Sequence, residues 1–169
     1  MTLPTYDQFI PPLLQYLGEQ TEPARARDAY EAVAERVGLT AEERQQMLPS
    51  QGQQVYKNRI GWAQDSLKRA MLSSAPRRGY WQITDEGRAV LKRHPAGLPP
   101  EEANRIANAE RHTPLREILG DEGGERGEPD VEPRAQSPQE MIEVGLDELR
   151  ASVARDLLEV VGRSTPEFF

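Results

Sequence analysis

Polar side chains suited to reading nucleic-acid bases gather where the longest predicted helix of the first hundred residues begins. They are Gln51, Gln53, Gln54, Lys57 and Asn58. Gln and Asn amides can form paired hydrogen bonds with the major-groove edge of adenine, whereas Lys suits guanine or phosphate. We expect Asn58 to lie in a DNA groove, because it faces away from the apolar stripe of its helix. The alternative is that its amide bonds a neighbouring loop.

Basic side chains surround this group. Residues 51–95 hold nine Lys or Arg against three Asp or Glu, a formal charge of +6. The rest of the chain carries −13, so that the net charge is −7. A basic block inside an acidic chain is the electrostatic footprint of a nucleic-acid-binding domain. The further DNA-binding candidates are Arg59, Lys68, Arg69, Arg77, Arg78 and Tyr80. The alternative for Arg77 and Arg78 is an ordinary solvated turn.

The residues needed for catalysis are missing. The chain has no Cys and only two His, His94 and His112, which are not spaced to share a metal on one helix face. The Gly-rich stretch 120–127 is acidic and would repel phosphate. A Mg²⁺-dependent nuclease commonly needs an acidic residue two positions before a Lys. Those positions hold Val55, Ser66 and Val90. We therefore expect no catalytic residue, metal or cofactor in this chain.

Helical periodicity predicts the elements that would position these side chains. We expect helices over 4–18, 23–37, 40 to just before 49, and 53–71. A capping box, Thr40 with Glu43, starts the third helix. The last of the four has a stripe of apolar residues three and four positions apart, which we assign to the core: Tyr56, Ile60, Ala63, Leu67 and Ala70.

A basic hairpin is predicted to follow. Residues 73–79 have turn composition and residues 80–83 that of a strand, which places Arg77-Arg78-Gly79 at the tip. A Thr84-capped helix should then run to Arg93. We expect Trp81 to be buried, whereas Trp62 either packs under the hairpin or faces DNA. The fold class is mainly α with a small β-hairpin: a winged helix-turn-helix, a flexible linker and a C-terminal helix.

The second half of the chain divides into three parts. We predict a short helical extension over 96–119 after a DNA-binding domain at 1–95, and a disordered acidic Gly/Pro linker over 120–137. The segment 138–169 follows. A capping box at Ser137–Glu140 opens its helix, which runs to Val161 with one apolar stripe. That helix is also a candidate homodimer contact.

Composition sets the class of protein. Hydrophobic residues make up 37 % and aromatic residues 6 %, which is lean for a single core of 169 residues. No apolar run approaches the roughly 20 residues that cross a bilayer, and the first residues lack signal-peptide features. The absence of Cys fits a reducing compartment. We expect a soluble cytoplasmic protein with no membrane partner.

Several segments together resemble the N-terminal domain of Mrr-type restriction endonucleases. The resemblance covers roughly residues 1–93, and residues 164–169 are similar to the entry of that family's catalytic domain. The segments that carry it are Pro4–Phe9, Pro12–Leu14, Val55–Ala63, Leu67–Ala70 and Arg77–Gly87.

The resemblance implies a modification-dependent (type IV) restriction system that cuts methylated foreign DNA. In that family a C-terminal Mg²⁺-dependent nuclease domain cleaves, and we expect it to be absent from this chain. The chain would then be the recognition part, which binds double-stranded DNA. Two alternatives stay open: a stand-alone winged-helix transcription regulator and a protein-interaction module.

Overall fold

The computed structural model describes residues 3–108 and 136–163, which are mainly helical with a small antiparallel sheet. The predicted class, mainly α with a small β-hairpin, is confirmed. A 3-10 turn at Asp7–Phe9 precedes the first helix. The elements are α1 (Ile10–Glu19), β1 (Ala24–Arg25), α2 (Ala26–Arg36), α3 (Ala41–Gln45), α4 (Val55–Arg69), β2 (Ser73–Arg77), β3 (Tyr80–Ile83), α5 (Asp85–Arg93), α6 (Pro100–Asn108) and α7 (Pro138–Arg163).

Parts of the predicted domain plan lie outside the described residues. These are 109–119 of the helical extension, 120–135 of the predicted linker, and 164–169. The last residue of that predicted linker, Ser137, is described and is fully buried. It does not lie in solvent, because it forms the capping box that starts α7.

The predicted second helix begins later than expected. Residues Ala24 and Arg25 form strand β1, which pairs with Trp81 and Tyr80 of β3. The helix α2 starts only at Ala26. Helical periodicity could not reveal this strand, because its pairing partner lies more than fifty residues away in the sequence.

The predicted hairpin is formed by β2 and β3, and we call it the wing. The three strands lie in the order β1-β3-β2, all antiparallel. Ser73 pairs with Ile83 and Arg77 with Tyr80, with an irregularity between Ser74 and Arg77. Pro76 sits in that irregular stretch, as expected for a residue that cannot donate to a ladder. At the tip, Gly79 has a positive φ of 78°.

The apolar stripe of α4 lies in the core as predicted. Tyr56, Ile60, Ala63 and Leu67 are all buried, and α1 and α2 pack against this helix. Trp81 of the wing is also buried, which confirms the prediction. Its ring meets that of Tyr30 in an edge-to-face contact with centroids 5.3 Å apart. The wing is thereby packed onto α2.

A polar network fixes α4 relative to α2 and α3. The Tyr56 hydroxyl donates to a Glu31 carboxylate oxygen at 3.0 Å, and Arg44 pairs with the same carboxylate at 3.1 Å. The predicted capping box of Thr40 and Glu43 is present and starts α3. Burial and the bond to Glu31 together raise the pKa of Tyr56 to about 12.

Among residues 3–108 and 136–163, no helix is long and apolar enough to cross a membrane.

Close backbone packing at Gly87 yields a first prediction. A Cβ atom on this residue of α5 would lie 2.2 Å from the Leu72 carbonyl oxygen and 2.7 Å from Ile83 Cγ1. Gly87→Ala should therefore lower the free energy of unfolding by about 2–3 kcal/mol, as overpacking does. Urea denaturation measures this. In the control Gly61→Ala, the new Cβ would meet only the Tyr30 hydroxyl at 3.8 Å. That variant should gain about 0.5–1 kcal/mol from helix propensity; equal losses in both would contradict the packing argument.

The Tyr56 hydroxyl yields a second prediction. Tyr56→Phe should lower the free energy of unfolding at pH 8 by about 1 kcal/mol, since it removes a hydrogen bond to a half-exposed carboxylate. A raised folded-state pKa contributes stability that is complete below the unfolded value of about 10 and is lost as pH rises towards 12. The difference between the two proteins should shrink between pH 8 and pH 11 in urea titrations. A constant difference would contradict this.

Candidate nucleic-acid interface

The loop that leads into α4 places the predicted amide side chains at the helix start. Leu48 and Gln53 join across it by a backbone hydrogen bond of 2.9 Å, and Met47 bridges Gln54. Gln51 sits at the turn with a positive φ of 57° and is exposed, whereas Gln53 and Gln54 are partly exposed. The predicted clustering of these amides near the first turn of α4 is therefore present.

One side of α4 remains open. Lys57, Gly61 and Asp65 are partly exposed along it, and Lys68 near the helix end is exposed. The Lys57 ammonium lies 5.5 Å from the centre of the Tyr56 ring. Arg69 is exposed but ion-paired with Asp65 one turn earlier. The open side thus presents two cations, one partly neutralised carboxylate and a glycine that leaves room for a ligand.

A groove of about 250 Å³ lies on this side of α4. Trp62 lines it while its ring also packs against the core, so that the side chain has one covered and one accessible part. Three amide side chains and one carboxylate supply hydrogen-bonding groups. The lining residues are Gln53, Asn58, Gly61, Trp62, Asp65 and Gln139.

Asn58, which we expected in a DNA groove, is 3 % exposed. Its Nδ2 donates to Gln139 Oε1 at 2.7 Å and to Gln53 Oε1 at 3.2 Å, and its Oδ1 accepts from the Ser137 hydroxyl at 2.5 Å. The residue does face away from the core stripe. The alternative was that the Asn58 amide bonds a neighbouring loop. The amide is indeed bonded within the chain, but mainly to a segment that is distant in the sequence.

Arg59 is buried as well, at 8 % exposure. Its guanidinium donates to both carboxylate oxygens of Glu140 at 2.8–3.2 Å and to the carbonyls of Leu3 and Pro4 at 3.1 and 2.8 Å. In this arrangement its side chain is engaged within the protein. Its partners come from positions far away in the sequence, so no local pattern could reveal them.

The segment that covers both residues is the first turn and a half of α7 with its cap, residues 137–143, which we call the docked turn. Ser137 and Glu140 close a capping box in both directions, at 3.2 and 2.8 Å. Glu143 accepts from the Ser50 backbone N–H at 3.1 Å and from Gln139 at 2.9 Å. These hydrogen bonds hold the pKa of the Glu143 carboxyl below its usual value. The docked turn thus brings one carboxylate to Arg59 of α4 and another to the loop before this helix.

The wing carries a basic cluster built around one aromatic ring. The Arg77 guanidinium stacks over Tyr80 at 3.6 Å from the ring centre, and Arg25 lies at 6.0 Å and donates to the Tyr80 hydroxyl at 3.1 Å. Arg78 is exposed at the tip. The sequence pattern identified Arg77, Arg78 and Tyr80. It missed Arg25, because the strand that brings Arg25 beside Tyr80 was not predicted.

Tyr30 lies between the wing and the open side of α4. The Tyr30 ring contacts Trp81 of the wing, and its hydroxyl lies 3.8 Å from where a Cβ would stand on Gly61. A backbone hydrogen bond of 2.8 Å from Ala26 to Gly79 ties the wing tip to the start of α2. Cations, amides and an accessible aromatic surface therefore lie on adjoining elements. In the described part of the chain, no group of acidic or His side chains is placed to hold a metal ion.

Comparisons with known proteins agree with the resemblance seen in the sequence. Residues 6–93 match the Mrr N-terminal domain. The chain is 41 % identical over 172 residues to the type IV methyl-directed restriction enzyme EcoKMrr of Escherichia coli (strain K12). That alignment covers 100 % of this chain but 56 % of the relative, so the chain spans about half the length of the curated protein it matches. No solved structure matches the chain. From its match over residues 6–93, the chain belongs to the Mrr N-terminal domain family.

Proposed function

We propose that this chain binds double-stranded DNA as the recognition part of a restriction system. The observation that carries the proposal is the basic cluster at the wing, where Arg25 and Arg77 lie against the Tyr80 ring and Arg78 is exposed at the tip. Exposed guanidinium groups at a hairpin tip suit the phosphate backbone. The element order, with α4 directly before a hairpin, is that of a winged helix, in which the helix enters the major groove.

The proposal assigns phosphate contacts and base contacts to different parts of the chain. Phosphate contacts would come from the wing and from Lys57 and Lys68, which supply affinity without sequence preference. Base contacts would come from the groove on α4. Its amides can bond adenine edges, and Asp65 can accept from the amino group of cytosine. Trp62 offers an apolar surface of the kind that contacts a base methyl group. Reading of methylated DNA is therefore part of the proposal, and the name of the relative points the same way.

Cleavage is not part of the function that we propose for these residues. None of the three lysines has an acidic residue two positions earlier, which leaves the usual Mg²⁺-nuclease pattern unfilled. Any nuclease chemistry, with its Mg²⁺, would belong to a separate domain such as the 44 % of the relative that this chain does not cover. We propose a cytoplasmic site of action, where foreign DNA arrives.

The helix α7 supports a second interaction. Its exposed apolar side chains repeat every three or four residues along the helix. They are Ile142, Leu146, Leu149, Val153 and Leu157. A stripe of this kind needs a partner in water, so the predicted homodimer contact through residues 138–161 stays a proposal. A stand-alone regulator would share this arm but would bind one specific palindrome whether or not the DNA was methylated.

The wing proposal predicts a change in salt dependence. Changing Arg77 and Arg78 together to Ala should weaken binding to all duplexes, because two phosphate contacts are lost. The slope of log K against log[salt] should fall by up to about 1.8, at roughly 0.9 per contact. Fluorescence anisotropy at several salt concentrations measures this. The control is Lys92→Ala with Arg93→Ala, an exposed basic pair at the end of α5. A slope that falls equally in both pairs would indicate general charge rather than wing contact.

The groove proposal predicts a change in discrimination instead. Trp62→Leu keeps an apolar side chain against the core but removes the flat accessible surface. The ratio of affinities for methylated and unmethylated duplexes should fall roughly fivefold, which corresponds to about 1 kcal/mol in the difference of binding free energies. The salt slope should stay the same. The wing variant serves as the reference, since it should change the slope and not the ratio. An unchanged ratio in Trp62→Leu, with thermal stability retained, would remove Trp62 from base reading.

A further inference from the structure

The docked turn covers the polar residues of α4 that are best suited to DNA. The contact joins positions 79–81 residues apart, and its four central side chains are almost inaccessible: Ser137 at 0 %, Asn58 at 3 %, Glu140 at 5 % and Arg59 at 8 %. Such burial distinguishes this contact from the exposed ion pairs elsewhere, which contribute little. The beginning of α7 therefore binds α4 at one specific position.

The groups that the docked turn offers to α4 are those that DNA would offer. Glu140 presents two anionic oxygens to the Arg59 guanidinium in the paired geometry that a phosphate also adopts. Gln139 and Ser137 present an amide oxygen and a hydroxyl to the Asn58 amide, much as a base edge would.

The same mimicry holds in the middle of the loop before α4. There the Glu143 carboxylate accepts from the Ser50 backbone N–H at 3.1 Å. Backbone N–H groups are among the protein groups that bind DNA phosphates. The docked turn thus places a carboxylate where a DNA phosphate could approach this loop.

We propose that the docked turn is an autoinhibitory latch, which competes with DNA for Asn58, Arg59 and the loop before α4. This inference rests on the proposed DNA-binding function and concerns its regulation. Asn58 cannot bond Gln139 and a base edge at the same time, so the latched chain binds DNA only through its wing and the remaining open side of α4. Opening the latch exposes the full surface.

The thermodynamics of such a latch are those of a two-state equilibrium. The apparent dissociation constant equals the intrinsic one divided by the fraction of open molecules. A variant that opens the latch therefore binds DNA more tightly, up to the limit set by the intrinsic affinity. Linkage also requires the reverse effect, in which bound DNA favours the open state.

The test compares two Glu→Ala variants of the same helix. Glu140→Ala removes the ion pair and the capping box, whereas Glu148→Ala removes the same charge from an exposed position. In anisotropy titrations with a methylated duplex, Glu140→Ala should bind about tenfold more tightly than Glu148→Ala. Ser137→Ala, which changes no charge, should bind more tightly than the unaltered chain by a smaller factor. A tighter complex in that variant cannot come from a gained positive charge.

Hydrogen exchange measured by mass spectrometry reports the latch without DNA. Exchange in residues 137–143 and 50–59 should rise in Glu140→Ala and Ser137→Ala but not in Glu148→Ala. Adding DNA to the unaltered chain should raise exchange in residues 137–143. Circular dichroism checks that each variant is folded, and Ser137→Ala decides the matter if Glu140→Ala unfolds.

The outcomes separate the latch from the proposed function. If exchange shows the latch open while DNA affinity matches that of Glu148→Ala, the latch proposal is wrong and DNA binding stands. If exchange does not rise in either latch variant, these residues do not hold the docked turn and the proposal is again overturned. If no variant and no salt condition gives DNA binding, the proposed function itself fails, whatever the exchange data show.

Discussion

A buried guanidinium holds three distant parts of this chain together. An Arg side chain carries five N–H donors, and these need acceptors wherever water is excluded. Arg59 finds them in the carbonyls of Leu3 and Pro4 and in the carboxylate of Glu140. The N-terminal segment, α4 and the start of α7 therefore share one cation. Loss of any of these partners would leave a buried charge short of hydrogen bonds, which makes the position of α7 on α4 specific.

The cations of this acidic chain differ in how far the chain itself pairs them. The wing keeps Arg77 and Arg78 exposed, and within residues 3–108 and 136–163 neither is ion-paired with an acidic side chain. By contrast, Arg59, which follows Asn58 on α4, is paired with Glu140. If the wing attracts DNA and α4 reads its bases, as we propose, the two contacts are under different control. Such a division would let a restriction protein sample DNA weakly while the reading surface stays covered.

The sequence predicted the features that depend on residues close together in the chain and missed those that depend on distant residues. Local signals were sufficient for the apolar stripe of α4, the capping boxes at Thr40 and Ser137, and the Arg77-Arg78-Gly79 tip, because each depends on residues three or four positions apart. Strand β1 was missed, and with it the place of Arg25 beside Tyr80. The cover over Asn58 was missed for the same reason, since its partners Ser137 and Gln139 lie about eighty residues away.

Helical geometry fixes the direction in which Asn58 points, and it was correctly placed opposite the core stripe. Which groups cover the Asn58 side chain depends on free energy and not on helical geometry alone. A buried amide without partners is costly, so Asn58 must be bonded either to the chain or to a ligand. The Ser137 hydroxyl and the Gln139 amide satisfy it in the free chain. Any DNA base that replaces them must supply equivalent bonds, because a poorly matched base would leave Asn58 short of partners. Under the proposed latch, a DNA sequence must therefore complement α4 at least as well as the chain's own side chains do.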